Sequence, residues 1–127
     1  MAPRTVLVID DDPVILKLLR VNFEMEGYDV LDAGDGIAGL AKARADRPDV
    51  IILDVMMPGM NGLDVARALK GSADTSQIPI ILLSAKAQAA DVAEGRNIAD
   101  DYITKPFDPL DLLDCVAGFL EHDPVEG

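Results

Sequence analysis

Three runs of this chain, Val6-Leu7-Val8-Ile9, Val50-Ile51-Ile52-Leu53 and Ile78 to Leu83, are apolar at nearly every position and rich in β-branched residues. A strand with no polar side needs cover on both faces, which is the condition of a parallel sheet flanked by helices. The stretches between the runs meet that need. After the first run, Ile15, Leu18, Leu19 and Phe23 recur at helical spacing, Pro13 sits where helices begin, and Gly27 closes the segment.

The same alternation continues to the end of the chain. Asp29 to Ala33 reads as strand, Gly36 to Ala45 as an Ala-rich helix, Val50 to Leu53 as strand and Leu63 to Lys70 as helix. A polar loop from Gly71 to Gln77 precedes a strand from Ile78 to Leu83 and a weak helix from Ala89 to Arg96. Asp101 to Thr104 and Pro109 to Leu120 supply the last strand and helix. Repeated βα units with right-handed crossovers imply an α/β fold, a doubly wound five-stranded parallel sheet of flavodoxin-like order 2-1-3-4-5 with helices on both faces. The 127 residues suit one domain, expected over 4–121, with a loose tail at 122–127.

Charge narrows the partners. Twenty-three acidic residues against eleven basic ones give a formal charge of −12, which repels nucleic acid phosphates and anionic lipid. Direct nucleic acid binding and membrane association are therefore not expected, and no apolar run has the length of a membrane span or a signal-peptide core. The default compartment is the cytoplasm. The single cysteine, Cys115, cannot form an internal disulfide and reads as a small core residue of the last helix.

In an open parallel sheet, ligands bind beyond the carboxyl ends of the strands, where strand order reverses. Strand one ends at Asp10 and Asp11, and strand three ends at Asp54, so carboxylates from distant parts of the chain converge there. Clustered like charges destabilise a fold unless a cation neutralises them, and oxygen donors with room for water suit Mg²⁺. Asp12 reads instead as the cap of the first helix. Strands four and five bring Ser84 and Lys105 to the same pocket. A hydroxyl, an ammonium and a divalent cation together can hold a phosphoryl group.

Four motifs in order now carry a family resemblance: Val8-Ile9-Asp10-Asp11-Asp12, Asp54-Val55-Met56-Met57-Pro58-Gly59-Met60-Asn61-Gly62, Leu83-Ser84-Ala85 and Asp100-Asp101-Tyr102-Ile103-Thr104-Lys105-Pro106-Phe107. The sequence resembles the receiver domains of two-component response regulators from about Thr5 to Leu120. The resemblance implies that Asp54 is the nucleophile that becomes an acyl phosphate. Asp10, Asp11, Asp54 and the backbone carbonyl of Met56 would then hold Mg²⁺, and Ser84 and Lys105 would contact the phosphoryl oxygens. Ser84 and Tyr102 would be the switch pair, with the aromatic turning inward, although Tyr102 can also be read as an edge-strand aromatic with its hydroxyl in water. The Lys105-Pro106 bond resembles the family's cis peptide.

The chain departs from the pattern between Ser84 and Tyr102, where it looks one residue short and Ile98 stands in place of a glycine. Ile98 is either exposed or tucked into the core. Gly95 lowers the intrinsic stability of the fourth helix by roughly 1 kcal/mol relative to alanine.

The function expected is a phosphorylation-activated signalling switch. A histidine kinase or phosphotransfer protein donates the phosphoryl group, and a downstream protein target or output domain reads the changed surface. An alternative is a Mg²⁺-dependent phosphohydrolase with Asp54 as nucleophile, but Met56 stands where such an enzyme would place an acidic general acid. A module that ignores phosphate would not need the full set of polar residues. Helix five carries Asp111, Asp114 and Glu121 with no basic residue, so two such faces repel and a monomer is expected. Met56 and Lys86 beside the phosphoryl group offer no good acceptor to orient a hydrolytic water, so self-dephosphorylation is expected to be slow.

Overall fold

The computed structural model describes residues 3–86 and 88–121. Five parallel strands, β1 (Thr5–Ile9), β2 (Asp29–Ala33), β3 (Val50–Asp54), β4 (Ile80–Ser84) and β5 (Asp101–Thr104), lie in the order β2-β1-β3-β4-β5. They alternate with α1 (Pro13–Met25), α2 (Gly36–Asp46), α3 (Gly62–Lys70), α4 (Ala89–Ile98) and α5 (Pro109–Glu121). The doubly wound architecture expected from the apolar runs is the one observed. The expected tail at 122–127 lies outside the described residues, and among those described no helix is long and apolar enough to cross a membrane.

Strand periodicity sorts the core into two halves. Leu7, Ile9, Ile51, Leu53, Ile80 and Leu82 point to one side, where Val65 and Leu69 of α3 and Ala43 of α2 cover them. Val6, Val8, Val50, Ile52, Ile81 and Leu83 point to the other, where Leu19 and Phe23 of α1 and Leu112 and Val116 of α5 cover them. Each central strand thus buries both of its faces, as parallel sheets require.

The element bounds differ from the sequence expectation at two places that affect the site. β4 begins at Ile80 rather than Ile78 because Pro79 has no N–H to give a neighbour. Its carbonyl still accepts from Ile51 N at 2.9 Å, and Ile78 N closes a turn onto Thr75 O at 3.1 Å. α4 runs past Arg96 to Ile98, which packs partly buried against the α2/α3 side of the core. That settles the two readings of Ile98 in favour of the inward one.

The helix starts follow from their caps. Asp12 accepts from Val14 N at 2.9 Å ahead of Pro13, as expected, and Asp35 and Asn61 cap α2 and α3. α3 begins hard against the end of β3. A Cβ on Gly62 would overlap the carbonyl oxygen of Asp54 and lie 2.8 Å from Val55 Cα, both of them backbone that cannot yield. Gly62→Ala is therefore expected to destabilise the fold by about 1–3 kcal/mol by overpacking, read as a lower urea midpoint. An unchanged midpoint would show that α3 is free to slide away from β3.

Candidate functional site

The sheet order fixes where the site lies. The chain leaves β1 towards β2 on one side and later returns to β3 on the other, so the crossovers reverse direction between β1 and β3. Side chains at the carboxyl ends of these two strands therefore face an open crevice with no crossover above it. Asp10 follows β1 and Asp54 ends β3, and both are almost wholly buried. Asp11 is exposed at the rim. Carboxylate oxygens of Asp10, Asp11 and Asp54 lie within 4.8 Å of one another.

Lys105 reaches this cluster from the end of β5. Its Nζ donates to Asp10 Oδ2 at 3.1 Å and stands 3.4 Å from Asp54 Oδ1. The Lys105-Pro106 peptide bond is cis, and Lys105 N is anchored to Ser84 O at 2.8 Å. Backbone N–H groups take part of the remaining charge: Asp12 N donates to Asp10 Oδ1 at 2.9 Å and Met56 N to Asp54 Oδ1 at 3.2 Å. One ammonium among three carboxylates leaves the pocket with net negative charge.

That imbalance shows in the protonation of Asp54. Burial first, and then the Asp10 carboxylate, push its pKa from 3.8 up to about 6, against the opposing pull of Lys105 and the Met56 N–H. For Lys105, burial works to lower the pKa, but the hydrogen bond and charge of Asp10, together with Asp54, outweigh it and raise it. Lys105 therefore stays cationic. The residues present fit a divalent cation: three hard carboxylate donors converge in a pocket short of positive charge.

Ser84, at the end of β4, is fully buried, and its Oγ accepts from Lys86 N at 3.1 Å. Tyr102 of β5 is turned inward and only 6 % exposed, with its hydroxyl donating to Lys86 O at 2.7 Å. The alternative of a solvated edge-strand tyrosine is not what the structure shows. Met56 is half-exposed, and with Lys86 and Tyr102 it lines a small cavity of about 50 Å³ at the edge of the site.

Outside the pocket, Cys115 is half-buried on α5, and its Sγ donates to Asp101 Oδ2 at 3.3 Å. Burial first, then Asp101, push its pKa to about 12, so the thiolate is suppressed. The residue whose packing role the sequence did not reveal is Gly95. It reads as a helix weakness along the chain, yet it is buried against the ring of Tyr102.

Comparison with known proteins agrees with this geometry. Residues 6–117 match the family described as the response regulator receiver domain. The chain is 42% identical over 125 residues to the DNA-binding response regulator MtrA of Mycolicibacterium smegmatis, covering 95% of this chain and 54% of that protein. It is 45% identical over 116 residues to the DNA-binding dual master transcriptional regulator RpaA of Synechocystis sp., covering 91% of this chain and 48% of that protein. The chain thus spans about half the length of these relatives. Among solved structures, the Vibrio cholerae chemotaxis protein CheY4 superposes with a TM-score of 0.87 at 34% identity, over 93% of this chain and 99% of that one. A CheY-like receiver domain protein of Methanospirillum hungatei superposes with a TM-score of 0.89 at 28% identity, over 98% and 99%.

The raised pKa of Asp54 has a consequence for stability. The folded chain holds this proton more tightly than the unfolded chain does, so without divalent cation the ionised carboxylate costs stability as pH rises from 3.8 through about 6. In EDTA, Asp54→Asn should be more stable than the wild type at pH 8 by on the order of 2 kcal/mol. The gap should narrow as pH falls below about 6 and close below 3.8. Chemical denaturation across that range checks it; a pH-independent gap would refute the electrostatic origin.

Proposed function

This chain belongs to the response regulator receiver domain family, and from that membership we propose the chemistry of its switch: Asp54 accepts a phosphoryl group from a histidine kinase or phosphotransfer protein. The observation that carries the proposal is the buried Asp54 carboxylate, held between Lys105 and the Asp10/Asp11 pair at the switch point of the sheet. The relatives and structures compared above are regulators or receiver domains, and none supports a phosphohydrolase.

In the transfer, a carboxylate oxygen of Asp54 attacks phosphorus in line, the bond from phosphorus to the donor nitrogen breaks, and an acyl phosphate remains on Asp54. Deprotonated Asp54 is the competent form. Lys105, now held between two carboxylates, is placed to pair with a phosphoryl oxygen, and the Ser84 hydroxyl to donate to another. Asp10, Asp11, Asp54 and the backbone carbonyl of Met56 would hold Mg²⁺, which when bound supplies positive charge to the crowded oxygens. Phosphorylation then alters the surface formed by α4, β5 and α5, and a downstream target or output domain responds.

On this reading the protein acts in the cytoplasm, where kinase and phosphoryl donors are found. Its own acidic surface does not contact nucleic acid. Asp111 and Asp114 are exposed on an α5 that has no basic residue, which supports a monomer.

Acetyl phosphate with Mg²⁺ should label the wild type and leave Asp54→Asn unlabelled, as followed by intact-protein mass. Labelling of the variant at the wild-type rate would sink the assignment of the nucleophile. The lifetime of the product follows from the two exposed side chains at the rim. Met56 is a weak acceptor whose bulk obstructs a water, and Lys86 can pair with the phosphoryl group. Met56→Asn combined with Lys86→Glu should hydrolyse the acyl phosphate about tenfold faster, a barrier change of about 1.4 kcal/mol. Phosphate release after rapid removal of donor measures this, and an equal or slower rate would contradict it.

A further inference from the structure

Gly95 lies in the middle of α4, buried, where an alanine would be the better helix former. Its lack of a side chain has a specific beneficiary. A Cβ built there would overlap Tyr102 Cδ2, lie 2.7 Å from Tyr102 Cε2 and lie 3.2 Å from Leu82 Cδ1. Leu82 is fully buried in the central sheet and cannot retreat, whereas the Tyr102 ring can leave by rotating about its Cα–Cβ bond towards solvent.

The ring is not a passive filler. Its hydroxyl donates to Lys86 O at 2.7 Å, and Lys86 N donates to Ser84 Oγ at 3.1 Å. Residue 86 is thus held at both ends of its peptide frame, by Tyr102 on one side and by the Ser84 hydroxyl on the other. Apart from this, α4 is held by two surface ion pairs, Arg67–Glu94 and Arg96–Asp101, both at 3.6 Å, and by little buried packing. Gln88 makes no side-chain cap bond, and Gly95 is the one buried residue of the helix.

We propose that Gly95 is a positioning residue for phosphoryl binding: the missing Cβ seats Tyr102 inward, and Tyr102 in turn fastens Lys86 and the Ser84 hydroxyl beside Asp54. Chemistry at Asp54 then finds Ser84 and Lys86 already held and does not have to order them. The second half of the inference rests on the receiver reading, while the seating of Tyr102 does not.

The chain has two tyrosines, and Tyr28 packs on Phe23 at a ring separation of 5.4 Å, so their ring resonances are separable in a tyrosine-labelled sample and assignable with Tyr102→Phe. Without any phosphoryl mimic, Gly95→Ala should move the Tyr102 ring signals to a solvent-exposed position and leave those of Tyr28 in place. Titration with beryllofluoride and Mg²⁺ should then show about tenfold weaker binding for Gly95→Ala. In a Tyr102→Ala background, which removes the overlap and keeps the double variant foldable, Gly95→Ala should cost almost nothing further. Unmoved Tyr102 signals, or an equal loss in both backgrounds, would overturn the inference. A wild type that fails to bind beryllofluoride would overturn the proposed phosphoryl chemistry at Asp54 and the second half of the inference with it, and the ring signals would still decide the seating.

Discussion

The burial of Asp10 and Asp54 side by side is the constraint around which the rest is arranged. Two carboxylates taken from water and brought together are costly, and Lys105 offsets that cost only in part, since Asp54 still holds its proton up to about pH 6. Each participant comes from a different strand end: Asp10 from β1, Asp54 from β3 and Lys105 from β5. The pocket can therefore form only when β1, β3, β4 and β5 have assembled in their order. It remains poised for added positive charge or for a modification that removes the Asp54 anion.

Much of this was legible in the sequence because the relevant signals are local. β-branched runs without polar alternation imply a sheet covered on both faces, and a doubly wound sheet leaves one crevice for its strand-end residues. Hence the sequence alone directs Asp10, Asp11, Asp54, Ser84 and Lys105 to one crevice. The errors arose where a single residue altered the local pattern. Pro79 lies within an apolar run and delays β4 by two residues, since a missing N–H is invisible to hydrophobicity. The sequence pattern ends α4 two residues early because Asn97 and Gly95 dilute the helical periodicity, although Ile98 supplies the apolar contact that extends it.

Tertiary packing was harder to read than chemistry. Propensity treats Gly95 as a defect, and only the position of the Tyr102 ring shows what the defect accommodates. The role of Lys105 was also incomplete from sequence. A lysine at a strand end suggests an anion ligand, but its bridge to Asp10 and Asp54 requires knowing how deeply both acids are buried. Tyr102 stood between two readings for the same reason, since strand periodicity alone does not state whether the helix above leaves room for a ring.

The two faces of the sheet differ in how readily they can respond to a change at Asp54. On one face α5 buries Leu112, Leu113, Val116 and Leu120 against Leu19 and Phe23 of α1, and displacing either helix would expose several large side chains at once. On the other face α4 contributes Val92 and Ile98 only as partly buried contacts, starts without a side-chain cap, and meets the sheet through a glycine. Segments with few buried apolar contacts are the ones that move at least cost. Ser84 and Lys86 lead from the pocket directly into that segment, and Tyr102 ties it to β5 by one hydrogen bond. The packing that opposes movement is therefore weaker at α4 than at α1 and α5.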